Sequence, residues 1–169
     1  MTASNLKVKL VIGLGNPEKK YQSTYHNVGY LFIDYLKSHL PHLTGHMLKS
    51  NVYMNQSGQF VKSALKKAGP KPESLLVTQD DSDIVLGSYK LSFGRGAAGH
   101  HGIESIIQTL GTQNFWRLRI GIRPTEKNKG QKVRRLKAGE FVLKKITPAH
   151  QKILELEFPK ILIDLKKLI

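Results

Sequence analysis

Residues 6–14 (Leu-Lys-Val-Lys-Leu-Val-Ile-Gly-Leu) begin as an alternating pattern and end wholly apolar, and that change constrains the fold more than any other feature. A strand solvated on one face keeps alternating. One that turns apolar on both faces has to be covered on both, as an interior parallel strand is. The chain supplies the helices for this. Val28, Leu31, Phe32, Tyr35 and Leu36 recur at helical spacing over residues 27–40, and Pro41 closes that helix. Phe60, Val61, Ala64 and Leu65 mark a second, with Ser57 as its candidate cap and Gly69-Pro70 as its end. Ile103, Ile106, Ile107 and Leu110 mark a third, stopped by Gly111. Short strands are expected at 75–78 and 87–93, and a glycine-rich loop between Gly94 and Gly102. Thr147-Pro148 suits the start of a C-terminal helical segment over 147–169, which Pro159 should interrupt or restart. With 169 residues, no internal repeat and no evident linker, this order predicts a single α/β domain: a mixed twisted sheet with helices on both faces.

Charge narrows the partner. The net charge is +15, and residues 117–145 hold eleven Lys or Arg against two acids, Glu126 and Glu140. A concentrated basic stripe is the footprint of phosphate-backbone contact. Within it, Trp116, Leu118, Ile120 and Ile122 alternate with Arg117, Arg119, Gly121 and Arg123, which predicts a half-buried strand with a basic outer face. Residues 125–137 read as a mobile basic loop. A membrane-surface helix fits this region poorly, because Pro124 and Gly130 interrupt it and it has no apolar helical face. No apolar stretch approaches the roughly 20 residues of a membrane span. Cysteine is absent, which excludes disulfides and thiolate chemistry and fits a reducing compartment. Met1–Asn5 lacks the basic start of a signal peptide, so a cytoplasmic location is expected.

Four segments carry candidate chemistry. Gly13-Leu14-Gly15-Asn16-Pro17 ends the first strand, and His26 opens the first helix. Asn55 lies in Tyr53-Met54-Asn55-Gln56-Ser57-Gly58, and Asp80 follows the apolar run at 75–78. A dinucleotide site is poorly served, since Glu18 stands where a third glycine would be needed. An isolated histidine is more often satisfied by a backbone group. Here Asp80 occupies an equivalent strand-end position, and a carboxylate on one ring nitrogen leaves the other free to take a proton from water. Asn16 and Asn55 offer amides that could hold a peptide group, or merely form buried turns. Asp80, Asp81 and Asp83 suggest a magnesium site, but turn capping accounts better for the last two. His39, His42 and His46 have metal-like spacing, yet Pro41 and Gly45 separate them and no acid is nearby. No metal or cofactor is expected. A serine nucleophile lacks its Gly-x-Ser-x-Gly elbow.

In order and spacing these segments resemble the bacterial-type peptidyl-tRNA hydrolase family, from about residue 7 to residue 147. The matching pieces are residues 13–17, Tyr21 with Thr24–Gly29, residues 53–58, residues 79–83, Gly99-His100, and residues 117–124. The resemblance implies hydrolysis of the ester between peptide and tRNA by a monomeric enzyme, with His26 and Asp80 as the catalytic pair. It implies substrate binding by Asn16, Tyr21, Asn55, His100 and His101. Candidates for tRNA phosphates are Lys90, Arg95, Arg117, Arg119, Arg123, Lys127, Lys129, Arg134 and Arg135. Several positions depart from the pattern. His101 replaces a customary asparagine, Gln79 a histidine and Ser50 a proline. The interval from His26 to Asn55 is about twenty residues shorter than usual, so a strand pair beside the substrate groove is expected to be missing. These departures leave an alternative of another class: an RNA-binding protein on the same fold that has lost catalysis.

Overall fold

The computed structural model describes residues 7–124 and 138–169. Five strands form one sheet: β1 (Leu10–Gly13), β2 (Met47–Lys49), β3 (Leu75–Val85), β4 (Tyr89–Phe93) and β5 (Trp116–Arg123). Their spatial order is β2-β1-β3-β5-β4. All neighbouring pairs are parallel except β4 with β5, so the sheet is mixed, as expected. The helices are α1 (Val28–His39), α2 (Ser57–Ala68), α3 (His101–Leu110), the single turn α4 (Ala138–Phe141) and α5 (Pro148–Leu165). None of the described helices is long and apolar enough to cross a membrane.

The apolar run that opens the chain does what its pattern requires. Val11 and Leu76 face a core shared with α1 and α5, built on Phe32, Ile33, Leu36, Leu154, Phe158 and Ile161. Leu10, Ile12, Leu75 and Val77 face a second core shared with α2 and α3, through Val61, Leu65, Ile103 and Ile106. Successive residues of one strand thus enter different cores. The layers pack closely enough to demand glycine at Gly29 in α1. A Cβ there would lie 2.5 Å from the Thr78 carbonyl oxygen and 2.7 Å from that of Leu14, both main-chain atoms that cannot move aside.

Three local expectations are corrected. Ser57 does not cap α2. It is the helix's first residue, its hydroxyl donates back to the Met54 carbonyl at 2.8 Å, and a 3-10 turn over Met54–Gln56 leads in. Pro159 does not interrupt α5, which runs unbroken from Pro148 to Leu165. The proline and Glu155, whose carbonyl it leaves without a helical donor, are both exposed, so water can serve that oxygen. Leu154, Phe158, Ile161 and Leu162, buried on the other side, hold the helix across the gap. The basic face of β5 is the third. Its alternation is real, with Leu118, Ile120 and Ile122 all entering the α1/α5 core. The other face is covered too: Arg117 is 1% exposed, and a Cβ on Gly121 would sit 2.1 Å from the Val85 carbonyl. Only Arg123, at the strand's end, is fully exposed. The proposed mobile loop at 125–137 lies outside the described residues.

Glu157 of α5 is an ionisable side chain in the core, 2% exposed, and neither of its oxygens meets a hydrogen-bond donor among the described residues. Burial pushes its carboxyl up to about 7; the nearby Gly87 amide and Lys160 ammonium offset only part of that. A group whose folded value lies above its unfolded one costs nothing below the unfolded value, about 4.3 for Glu, and costs progressively more as pH rises through the folded value. Glu157→Gln should therefore raise stability by on the order of 2 kcal/mol at pH 8 and leave it nearly unchanged at pH 4.5, read by urea unfolding at both pH values.

Candidate active site

The site forms where β1 ends alongside β3, which was expected to stop at residue 78 but continues to Val85. Leu14 N–H donates to the Thr78 carbonyl at 2.9 Å, and beyond it the chain leaves the sheet through Gly15-Asn16-Pro17. Asn16 is fixed from both sides. Its backbone N–H donates to Asn27 Oδ1, and Asn27 Nδ2 donates back to the Asn16 carbonyl, each at 2.9 Å. This reciprocal pair ties the end of β1 to the start of α1. The side-chain oxygen of Asn16 accepts the Met54 N–H at 3.0 Å, so the same residue also anchors the turn that carries Asn55. Ser105 completes the attachment from α3: its hydroxyl donates to the Asn55 carbonyl at 2.9 Å and accepts the Gly58 N–H at 2.9 Å. The Asn55 side chain is left exposed.

His26 lies in a 3-10 turn, Tyr25–Asn27, that runs directly into α1. Its Nδ1 is 2.7 Å from Asp80 Oδ1. Asp80 is buried within β3, two residues past the point where β1 stops pairing with that strand. The same carboxylate oxygen lies 3.2 Å from His100 Nε2. His100 is the cap of α3, and its Nδ1 accepts the Ile103 N–H. With Nδ1 acting as acceptor, the proton of the neutral ring must sit on Nε2, which then donates to Asp80. Asp80 Oδ1 thus receives two imidazole donors.

The electrostatics follow from this geometry. Burial alone would push the Asp80 carboxyl up, but the charge of His26 and hydrogen bonds from His100 and His26 outweigh it and hold the group well below the usual carboxylate range. Burial likewise opposes the charged form of His26, and the Asp80 carboxylate more than compensates, raising the imidazole above its ordinary value. His26 therefore donates through Nδ1 to an anion, while Nε2 hydrogen-bonds to none of the described residues. The ring is 14% exposed at the side chain, enough to admit a water. Among the described residues, His26, Asp80 and His100 are the group whose ligand atoms converge, within 4.8 Å of one another. Those atoms already share hydrogen bonds, so a cation would have to displace both ring protons. His39, His42 and His46 are all exposed and do not join them.

The remaining candidates fall in different places. Tyr21 is half-buried in the turn before His26, with the Lys20 ammonium 4.9 Å from its ring centroid. His101 points away from the cluster and pairs with Glu104 at the surface, 3.3 Å apart. Lys90, Arg95 and Arg123 are exposed. Arg119 is half-buried and bonded to Asp81 at 2.6 Å. Lys127, Lys129, Arg134 and Arg135 lie outside the described residues. Arg117 requires correction. Its guanidinium is turned inward, where Nε donates to Gln79 Oε1 at 3.2 Å and Nη1 donates to the carbonyls of Arg95 and Gly96. Burial, with Arg119 close by, pulls it down to about 10. It braces the loop leading to His100 and has no face left for a phosphate. Sequence reasoning missed this, and it missed the reciprocal clamp of Asn27. The available signal was an arginine at an inward position of a strand adjoining a glycine-rich loop.

Known proteins resemble this chain in both sequence and fold. The family model described as peptidyl-tRNA hydrolase matches residues 10–169. A peptidyl-tRNA hydrolase of Aquifex aeolicus is 38% identical over 168 residues, covering 88% of this chain and 83% of its own. One from Prochlorococcus marinus is 34% identical, covering 96% and 87%. The crystal structure of a point mutant of the Acinetobacter baumannii peptidyl-tRNA hydrolase superposes with a TM-score of 0.79 at 31% identity, over 96% of this chain and 88% of that one. A match that starts at β1 and runs through α5, with agreement in fold as well as sequence, makes this chain a member of the peptidyl-tRNA hydrolase family.

Proposed function

We propose that the protein hydrolyses the ester joining a peptide to the 3′-terminal ribose of tRNA, and that His26 is its general base. The observation carrying this reading is the 2.7 Å contact between His26 Nδ1 and a buried, ionised Asp80, which leaves Nε2 as the accessible basic atom. A water held at Nε2 gives up a proton as it attacks the peptide's terminal carbonyl. Asp80 stabilises the imidazolium that results. The tetrahedral centre then collapses, the ester C–O bond breaks, and the ribose oxygen takes the proton back from His26. His100 shares the charge of Asp80 and keeps its carboxylate oriented. Asn16 and Asn55 flank the peptide side, joined through the Met54 N–H.

The tRNA is held by Lys90, Arg95, Arg119, Arg123 and the basic residues Lys127, Lys129, Arg134 and Arg135; Tyr21 contacts the 3′ end and His101 the substrate at the rim. The enzyme works as a monomer, since one chain supplies His26, Asp80 and His100 together, and it works in the cytoplasm, where a chain without cysteine is at home. The reading as an RNA binder that has lost catalysis finds no support in a site whose histidine and aspartate remain in hydrogen-bond contact.

Incubation with N-acetyl-aminoacyl-tRNA tests the proposal. Cleavage should be much faster than for the same aminoacyl-tRNA with a free amine, because a site built to hydrogen-bond a peptide group leaves polar atoms unpaired without one. His26→Ala should abolish cleavage while leaving tRNA affinity nearly unchanged. The base is competent only when neutral, so kcat/KM should rise with pH through an inflexion above about 6.5, the ordinary histidine value. Asp80→Asn should move that inflexion downward and slow turnover by about 10- to 1000-fold. A salt titration of tRNA binding separates the arginines: Arg123→Gln should reduce the slope of log K against log salt by roughly 0.7–0.9, as expected for one lost phosphate contact. Arg117→Met should leave that slope unchanged and instead lower the thermal unfolding midpoint, since it strands the Arg95 and Gly96 carbonyls.

A further inference from the structure

His26 is delivered by a short loop, and what holds that loop is a second segment far away in sequence. Residues 22–26 run antiparallel to residues 142–146. His26 N–H donates to the Val142 carbonyl at 2.8 Å, Tyr25 N–H to that of Lys144 at 3.2 Å, and Ile146 N–H to that of Ser23 at 2.8 Å. Thr24 and Lys145 form a bridge between them. One side chain locks this miniature ladder. Tyr25, adjacent to His26, is 2% exposed, and its ring stacks on Phe141 with centroids 4.4 Å apart. Its hydroxyl reaches His150 Nδ1 at 2.6 Å. His150 is itself fixed in the first turn of α5, where its N–H donates to the Thr147 hydroxyl that caps the helix.

We propose that Tyr25, clamped between Phe141 and His150, is a positioning residue for His26: it sets the backbone from which the imidazole meets Asp80. The proposal rests on His26 being the base. Ladder and clamp act on neighbouring peptide units. The ladder fixes the height of the turn above β3, and the stacked, hydrogen-bonded ring prevents it from rolling about its own axis. A roll at Tyr25 would swing the His26 ring away from Asp80 Oδ1. Displacements of about 1 Å at a catalytic group can cost on the order of 100-fold in rate. A phenylalanine in place of Tyr25 keeps the stack and loses the hydroxyl; a leucine loses both. The two substitutions therefore grade the clamp without touching His26, Asp80 or His100.

The test uses the full chain, measuring cleavage of N-acetyl-aminoacyl-tRNA and the NMR signal of the His26 imidazole. Tyr25→Leu should lower kcat by about 10- to 100-fold with KM within about 2-fold, and Tyr25→Phe should recover most of the loss. The His26 Nδ1 proton resonance, which reports the bond to Asp80, should shift or broaden in Tyr25→Leu and be largely restored in Tyr25→Phe. Ile161→Ala is the control: it opens the same core roughly 16 Å further along α5 and should lower the melting temperature while leaving kcat and the His26 resonance unchanged. Normal kcat in Tyr25→Leu, or an equal loss in Ile161→Ala at matched destabilisation, would overturn the proposal. Should Tyr25→Leu fail to fold, Phe141→Leu, which removes the stacking partner and leaves Tyr25 in place, carries the test, and a wild-type His26 resonance together with wild-type kcat in that variant would overturn it. An active His26→Ala variant would instead refute the base assignment, a separate outcome, because the resonance reports the geometry of His26 whether or not it is the base.

Discussion

One carboxylate oxygen organises this protein's site. Asp80 Oδ1 accepts from His26 on one side and His100 on the other, in the middle of a strand that is buried from Leu75 up to that residue. An ionised carboxylate in that position is costly unless it is paired and hydrogen-bonded. The two imidazoles supply that compensation, and each comes from a different element: the turn before α1 and the cap of α3. Both elements must therefore be docked before the charge is satisfied. The geometry of the His26–Asp80–His100 cluster and the packing of the two helical layers on the sheet are parts of one structural requirement.

The polar contacts around the pair serve the same end. Asn16 and Asn27 exchange hydrogen bonds so that β1 and α1 meet without a flexible joint, and Arg117 draws the Arg95 and Gly96 carbonyls inward so that the following loop presents His100. Gly29 removes the side chain that would hold α1 off the Thr78 and Leu14 carbonyls. Several of these residues are polar yet buried, and all are spent on shape. A buried arginine facing main-chain carbonyls is a positioning device rather than an electrostatic lure. Lys90, Arg95 and Arg123, by contrast, keep their charges in water.

The stretch between α1 and α2 is short, yet it still adds a strand to the sheet. The segment from Pro41 to His46 turns in 3-10 geometry and returns the chain as β2, three residues long, parallel to β1. That strand need only cover the edge of β1 and lead into the turn bearing Met54 and Asn55. Ser50, where the family resemblance leads one to expect proline, hydrogen-bonds to Tyr30 at 3.0 Å and fastens this return to α1.

Local pattern determined a good deal. The change from alternating to apolar over residues 6–14 implied an interior strand covered on both faces, and helical spacing located α1, α2 and α3; the pairing of His26 with Asp80 was one open reading of the residues, which the family resemblance favoured. The strand and the helices depend on neighbours along the chain or on a periodicity that one segment carries alone. Tertiary structure decided whatever depends on what covers a face. Arg117 and Arg123 stand on the same strand and look equivalent in sequence, yet one is sealed beneath the 95–96 carbonyls and the other reaches solvent. Pro159 reads as a helix breaker until the buried contacts on either side of it hold α5 intact, and the contact of Tyr25 with His150 joins residues more than a hundred positions apart. What covers a given face is a property of the assembled layers, so a single segment cannot encode it.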